Sequence, residues 1–288
     1  MTADRPTQQR VLALDASTPR VSVALGLWDE TRQAGPEDAP RTRIQAEREL
    51  AGGAAASASL VPALEAVLRE MGWTWRDVDL WVMGRGPGAF TGLRTAAAVI
   101  QGLAQGVQAL RSREREVAHP RKTVLPVDTL LAVAESARHL LVSGGQCVDE
   151  PLQIWACLDA RMGEWYVASY QYPCSQVPEA VCTAPPTLVT PDLWWAQQPA
   201  TQKMKTVYAG PVFEADLPRH PLRPEGLHCV AAWPTGGALL RLMPHAMAST
   251  GPVEPQLAQP MYVRNQVALT TAERQVLQRS PAEAASAC

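Results

Sequence analysis

Apolar positions along the first third of the chain change period twice. Val11-Leu-Ala-Leu-Asp15 is a short apolar run. Val21, Val23, Leu25 and Leu27 then alternate with Ser22, Ala24 and Gly26. Period two predicts strands, and only Ala16-Ser-Thr-Pro-Arg20 separates the two runs, so they form a hairpin. Residues 29–56 carry charge, Pro and Ala-Gly, and are expected to be mostly loop or weak strand. From Ser59 the period lengthens. Leu60, Leu64, Val67, Leu68 and Met71 share one helical face, with Ser59 as N-cap and Pro62 in the first turn. Leu80-Trp-Val-Met83 is the next strand, Gly84–Ala89 a turn, and about Thr91–Gln105 a helix. This strand–turn–helix order is that of an α/β fold.

Residues 111–123 are rich in Arg, Lys and Glu and are expected to be a loop at a domain boundary. Val124–Val127 is a strand, and Asp128 is placed to cap a helix reaching Leu141. Ile154–Leu158 and Trp165–Tyr170 are strands joined by a tight connection. Six prolines between 173 and 206 predict loops with one short helix near Leu193. Val207–Gly210 is strand-like, Thr235–Leu242 helical, and the chain after Ala268 polar and frayed. Periodicity alone shows no internal repeat.

Composition limits what such a chain can be. Its 288 residues are 47% hydrophobic and 19% charged, enough for a packed core of one large or two smaller domains. A net charge of −2 argues against an electrostatic nucleic-acid binder. The six cysteines form no C-x-x-C pair, and no run of about 18 apolar residues spans a membrane. Residues 1–10 lack the apolar stretch of a signal peptide, so a cytoplasmic protein is expected.

Three segments carry candidate chemistry. Asp15, with Ser17 and Thr18 in the turn after it, suits a metal-bound phosphate, and equally an Asx turn that closes the hairpin. Gly84–Arg94 combines three glycines and a proline with a helix start. Gly84, Gly86 and Gly88 admit close approach of another chain or ligand, and the helix start suits an anion. The segment lacks Gly-Lys-Ser/Thr, so it is no Walker loop, and its spacing is not G-x-G-x-x-G. A tight packing turn is the alternative. Asp159-Ala-Arg-Met-Gly-Glu164 is either a second phosphate turn or a structural hairpin. The helix after Gly84–Ala89 has an apolar stripe wide enough for two sides, one for the sheet and one for a partner. The five histidines make no H-x-x-x-H or H-E-x-x-H pair, and no G-x-S-x-G elbow occurs, so no metal site and no catalytic residue is assigned.

Val11–Thr18, Gly84–Arg94, Cys157–Glu164 and Gln259-Pro-Met-Tyr-Val-Arg-Asn-Gln266 occur in that order, and together they resemble the bacterial TsaB family of tRNA threonylcarbamoyladenosine biosynthesis proteins. The resemblance implies two related ribonuclease H-like (actin-like ATPase) domains, each a mixed sheet flanked by helices. They are expected at 11–125 and 126–266, between a disordered residue 1–10 segment and a tail at 267–288. It implies a non-catalytic partner of the TsaD-type transferase that acts beside the tRNA anticodon. A TsaE-type ATPase joins the assembly, tRNA is met through the complex, and homodimers form when TsaD is absent. The partner surface maps onto Leu60, Leu64, Val67, Gly86, Phe90, Leu93, Arg94, Ala97 and Ile100. Charged substitutions at Leu64 or Ala97 are then expected to abolish pairing and spare the fold. The resemblance implies Asp15, Ser17, Thr18 and Asp159 as candidate phosphate turns for ATP or ADP, completed at the interface with TsaD. The chain departs from the family at Gly210-Pro211-Val212, where the adenosine turn usually reads Gly-x-Gly. A self-sufficient ATPase or kinase using Asp15 and Asp159 is the alternative function.

Overall fold

The computed structural model describes residues 8–29, 42–52, 56–113, 123–146, 150–198, 204–214 and 226–264. Two five-stranded sheets organise them. In the first, β1 (Gln9–Asp15) pairs antiparallel with β2 (Arg20–Trp28), and β2 with β3 (Thr42–Ala51). After α1 (Ala56–Glu70), β4 (Leu80–Gly84) joins β1 in parallel. After α2 (Phe90–Arg113), β5 (Val124–Val127) joins β4 in parallel, giving the order β3-β2-β1-β4-β5.

The second sheet repeats this plan. β6 (Leu152–Asp159) is central, with β7 (Trp165–Tyr172) and then β8 (Val181–Val189) antiparallel on one side. β9 (Lys205–Ala209) and the short β10 (Cys229–Val230) add in parallel on the other, giving β10-β9-β6-β7-β8. Strand for strand, directions and order match. The two-lobed plan implied by the sequence blocks is therefore present, although no periodicity announced it.

The helices that follow each sheet change sides. α3 (Thr129–Ser143) leaves β5 and packs on β6 and β7 of the second sheet. α5 (Gly236–Arg241) follows β10 and packs on β1, β2 and β3 of the first. α6 (Met243–Ser249) continues from it toward β5. One core thus spans both lobes, uniting Val11, Val82 and Leu125 with Ile154, Ala168 and Val207 around α3 and α5. A second core lies between the outer face of the first sheet and α1 and α2. A third, rich in Trp, lies under α4 (Pro191–Gln197).

At the join of the lobes sits a buried ionic cluster. Glu135 of α3 is fully buried and accepts two hydrogen bonds from Arg138 (2.6 and 2.8 Å) and one from Arg241 of α5 (2.9 Å).

Several expected elements differ. Residues 42–51 form a full strand rather than loop or weak strand. Leu25 faces Ala46 while Gly26 faces Ile44, so Gln45 is an extra residue, a bulge that flips the face presented by its neighbours. Ile44 therefore packs toward the shared core and Ala46 toward the outer one, which hides the alternation. Between 173 and 206 the strand β8 tolerates Pro185 and Pro186 because it is an edge strand. α1 begins at Ala56, so Ser59 and Pro62 lie inside it rather than at its cap and first turn. α2 runs on to Arg113, which makes the start of the expected loop helical, while 114–122 lies outside the described residues. The expected tail at 267–288 and most of the 1–10 segment also lie outside them.

Candidate functional site

A cleft of about 380 Å³ opens between the lobes. The β1–β2 turn supplies Ser17 and Thr18, the β6–β7 turn Asp159 to Met162, and the start of α2 Phe90. Pro211, Val212, Glu214 and the segment Met261–Arg264 close it. The internal repeat explains this convergence, because Asp15 and Asp159 end equivalent central strands and both turns emerge at one edge.

The two aspartates nonetheless sit differently. Asp15 is fully buried and does not line the cleft. Its Oδ1 accepts from the Ser17 amide (2.9 Å) and hydroxyl (2.5 Å), and its Oδ2 accepts from Thr129 Oγ1 (3.1 Å). Burial pushes its carboxyl above the ordinary range, against the opposing pull of the Ser17 and Thr129 bonds. Thr18 donates its hydroxyl to the Arg20 carbonyl (2.8 Å). Asp159 is exposed. It accepts from the Arg161 amide (2.8 Å) and meets the Arg161 guanidinium at 3.4 Å. Both turns are closed by their own Asx bonds. Neither presents a free carboxylate for a magnesium nucleotide, and no group of three or more His, Cys, Asp or Glu among the described residues could hold a metal ion.

The glycine-rich segment is approached closely, but by its own chain. A Cβ on Gly84 would lie 1.8 Å from Asp15 Oδ2, one on Gly88 2.5 Å from the Ser17 carbonyl oxygen, and one on Gly92 1.9 Å from the Ala16 carbonyl oxygen. The Ala89 amide donates to the Ser17 carbonyl (2.7 Å), and Thr129 Oγ1 accepts from the Gly86 amide (3.0 Å). The glycines let the loop lie flat on the β1–β2 hairpin. Asp128, expected as a helix cap, makes no side-chain cap bond and instead pairs with Arg85 (2.5 Å) beside this loop.

The residues assigned to a partner surface divide in two. Leu60, Leu64, Val67, Ala97 and Ile100 are buried in the chain's own outer core, and Leu93 is buried against the Gly86 loop. Gly86 is buried beneath the loop. Only Phe90 and Arg94 are exposed. A charge at Leu64 or Ala97 thus falls in the core, and sparing the fold is not expected. The outward face of α2 includes Ala98, Gly102, Gly106 and Ala109, beside exposed Gln105 and with Leu110 at its end, and Val61 is exposed on α1. Added side chains at Gly102 and Gly106 would meet nothing within 4 Å. Sequence periodicity marked the apolar face, which is the core side. The middle of the outer face is marked by small residues set among a few polar ones, Arg94 and Gln105 included.

A protein-family model described as "TsaD: tRNA N6-adenosine threonylcarbamoyltransferase" matches residues 53–188. Two curated relatives carry the description "tRNA threonylcarbamoyladenosine biosynthesis protein TsaB". That of Escherichia coli is 31% identical over 56% of this chain and 55% of its own length. That of Haemophilus influenzae is 31% identical over 54% and 51%. The chain thus spans about half the length of the curated relatives it matches. The solved structure of YeaZ from Pseudomonas aeruginosa aligns with 88% of this chain and 99% of its own, at a TM-score of 0.61 and 28% identity. The chain is TsaB/YeaZ-like. The likeness and the duplicated sheets are consistent with two actin-like, ribonuclease H-like domains. No helix among the described residues of this TsaB/YeaZ-like chain is long and apolar enough to cross a membrane.

Proposed function

We propose that the chain is a non-catalytic partner of a TsaD-type transferase in the formation of threonylcarbamoyladenosine beside the tRNA anticodon. The likeness to YeaZ over nearly the whole of that structure carries the reading. The two curated TsaB relatives support the same pathway. Contact is made through the outward face of α1 and α2. A face of Ala98, Gly102, Gly106 and Ala109 lets a partner helix approach closely, and close backbone approach favours dense packing. The same face pairs two copies when the transferase is absent, and a TsaE-type ATPase joins the assembled pair. tRNA meets the assembly, not this chain alone. In this reading ATP or ADP is bound only where the partner completes the site, because the hydroxyls of Ser17 and Thr18 are already engaged within their own turn. The same engagement argues against a self-sufficient ATPase or kinase.

The test separates face from core. Ala98→Glu and Gly102→Glu point outward and leave the thermal transition within a few degrees of wild type, yet abolish co-purification with a co-expressed TsaD-type protein. Leu64→Glu, fully buried, destroys the fold itself. Retention of the complex by both outward variants would sink the assignment.

A further inference from the structure

Bulky apolar side chains are unevenly exposed. Phe90 (37%), Met162 (66%) and Tyr262 (45%) are exposed, and all three line the interlobe cleft. Tyr166, Trp233 and Met261 extend the apolar wall inward. An apolar cleft of this size falls in the range of ligand sites, roughly 300–1,000 Å³. Three bulky apolar lining residues exposed together mark an interaction surface rather than a small-molecule pocket alone.

Charge at the mouth is also uneven. Arg161 pairs with Asp159, Arg264 with Glu164 and Arg20 with Glu214. Arg94 has no carboxylate within ion-pair distance among the described residues. It is held by rings instead, with its guanidinium carbon 3.6 Å from the Phe90 ring centre and its Nε donating to Tyr262 Oη at 3.1 Å. Phe90 and Tyr262 lie 5.3 Å apart, so the cation and both rings form one cluster. The opposite lip is built under strain. Arg161 (φ 64°) and Met162 (φ 58°) are both left-handed although neither is glycine, and Arg264 donates to the carbonyls of Ala160 (3.2 Å) and Arg161 (3.4 Å). Such a conformation is disfavoured for side-chain-bearing residues, and the Arg264 clamp holds Met162 out at the mouth.

We propose that this cleft docks a segment of a partner protein, which inserts a bulky apolar side chain between Phe90, Met162 and Tyr262 and sets a carboxylate on Arg94. The apolar wall takes the side chain. Met162, flexible and polarizable, adapts to its shape. The unpaired guanidinium, already oriented by two rings, offers a charge-assisted bond to an acid next to the anchor. A phosphate chain, which needs several cations, finds Arg161 and Arg264 already ion-paired and Arg94 alone. The docking site takes in the first turns of α2, with Arg94 four residues before Ala98, so it adjoins the proposed transferase face and can serve a different partner.

Dodecamer peptides displayed on phage are selected on the immobilised full chain. The enriched peptides are synthesised with a fluorophore and their affinity is read by anisotropy. The expected peptides carry Leu, Met or an aromatic residue within three positions of Asp or Glu. Arg94→Glu and Met162→Asp, both exposed substitutions whose folding is checked by circular dichroism, each weaken binding at least tenfold. Replacing the peptide's acid by Ser costs a similar factor on the wild type and strengthens binding to Arg94→Glu, whose carboxylate repels that acid. Enrichment no greater than on a blank surface would overturn the proposal, as would peptides without the acid-apolar pair or affinities unmoved by both variants. Displacement of the labelled peptide by ATP with magnesium, or by a single-stranded RNA oligonucleotide, would overturn it by giving the cleft another ligand. Loss of TsaD co-purification in Gly102→Glu, about two helical turns beyond Arg94, leaves these peptide affinities intact, so the two readings fail separately.

Discussion

Gly84→Ala tests whether the glycine-rich loop is shaped for a ligand or for its own hairpin. The added methyl would stand 1.8 Å from Asp15 Oδ2 and 2.8 Å from its Cγ, distances no real contact sustains. Either the loop lifts from the sheet or the carboxyl leaves its site. In the second case three buried bonds are broken, from the Ser17 amide, the Ser17 hydroxyl and Thr129. An unsatisfied buried group costs about 1–3 kcal/mol, and overpacking costs about 1–3 kcal/mol. Gly84→Ala should therefore destabilise by about 2–6 kcal/mol. Asp15→Ala removes the two clashing atoms and leaves only its Cβ, 3.2 Å from the new methyl, which a small shift relieves. The double variant should then lose about 1–3 kcal/mol less than the sum of the single losses, the range for directly coupled pairs. Urea unfolding followed by tryptophan fluorescence and far-ultraviolet circular dichroism measures all four corners. A loop open to ligand would instead gain about 0.4–1 kcal/mol from Gly→Ala. That gain, or additivity within about 0.5 kcal/mol, would refute the reasoning.

Glu135→Ala should cost about 3–5 kcal/mol, because it strands Arg138, which is almost wholly buried, and frees Arg241 of α5; a urea midpoint close to wild type would contradict this. Burial holds the Asp15 carboxyl above its ordinary value of 3.8, so the folded chain keeps a proton that the unfolded chain releases. Its contribution to stability is full below pH 3.8 and is lost as pH rises through the folded-state value, at about 1.4 kcal/mol per unit within that window. Asp15→Asn should gain on wild type as pH rises through that window, and parallel stability curves for the two proteins would disprove it.

Local pattern made some of this molecule legible and geometry kept the rest hidden. The hairpin β1–β2 and the strands β4, β5, β6 and β7 follow from period and turn residues, because each lies where alternation or an apolar run is unbroken. β3 was obscured by one bulged residue, Gln45, and by the charged side chains of an exposed edge. β8 was obscured by prolines that only an edge position permits. The loop at Gly84–Arg94 was visible as a place of close approach. That the approaching group is the Asp15 hairpin depends on a contact across the sheet, which no spacing along the chain encodes. The cleft drew Phe90 and Tyr262 from positions 172 residues apart. Met162 offered no signal at all, since its exposure comes from a left-handed turn that favours glycine.

The exchange of α3 and α5 between lobes has a consequence for synthesis on the ribosome. When β5 has emerged, the first sheet is complete except for the cover on its inner face, and that cover, α5, lies about 110 residues farther along. At roughly 5–20 residues per second the apolar strands wait about 5–20 s for it. α3 emerges in the meantime with its partner sheet still unmade. Neither lobe can finish before the last strand and helix are translated, so the nascent chain offers a long window for chaperone capture. Truncation before α5 should leave an aggregating fragment rather than a smaller folded protein.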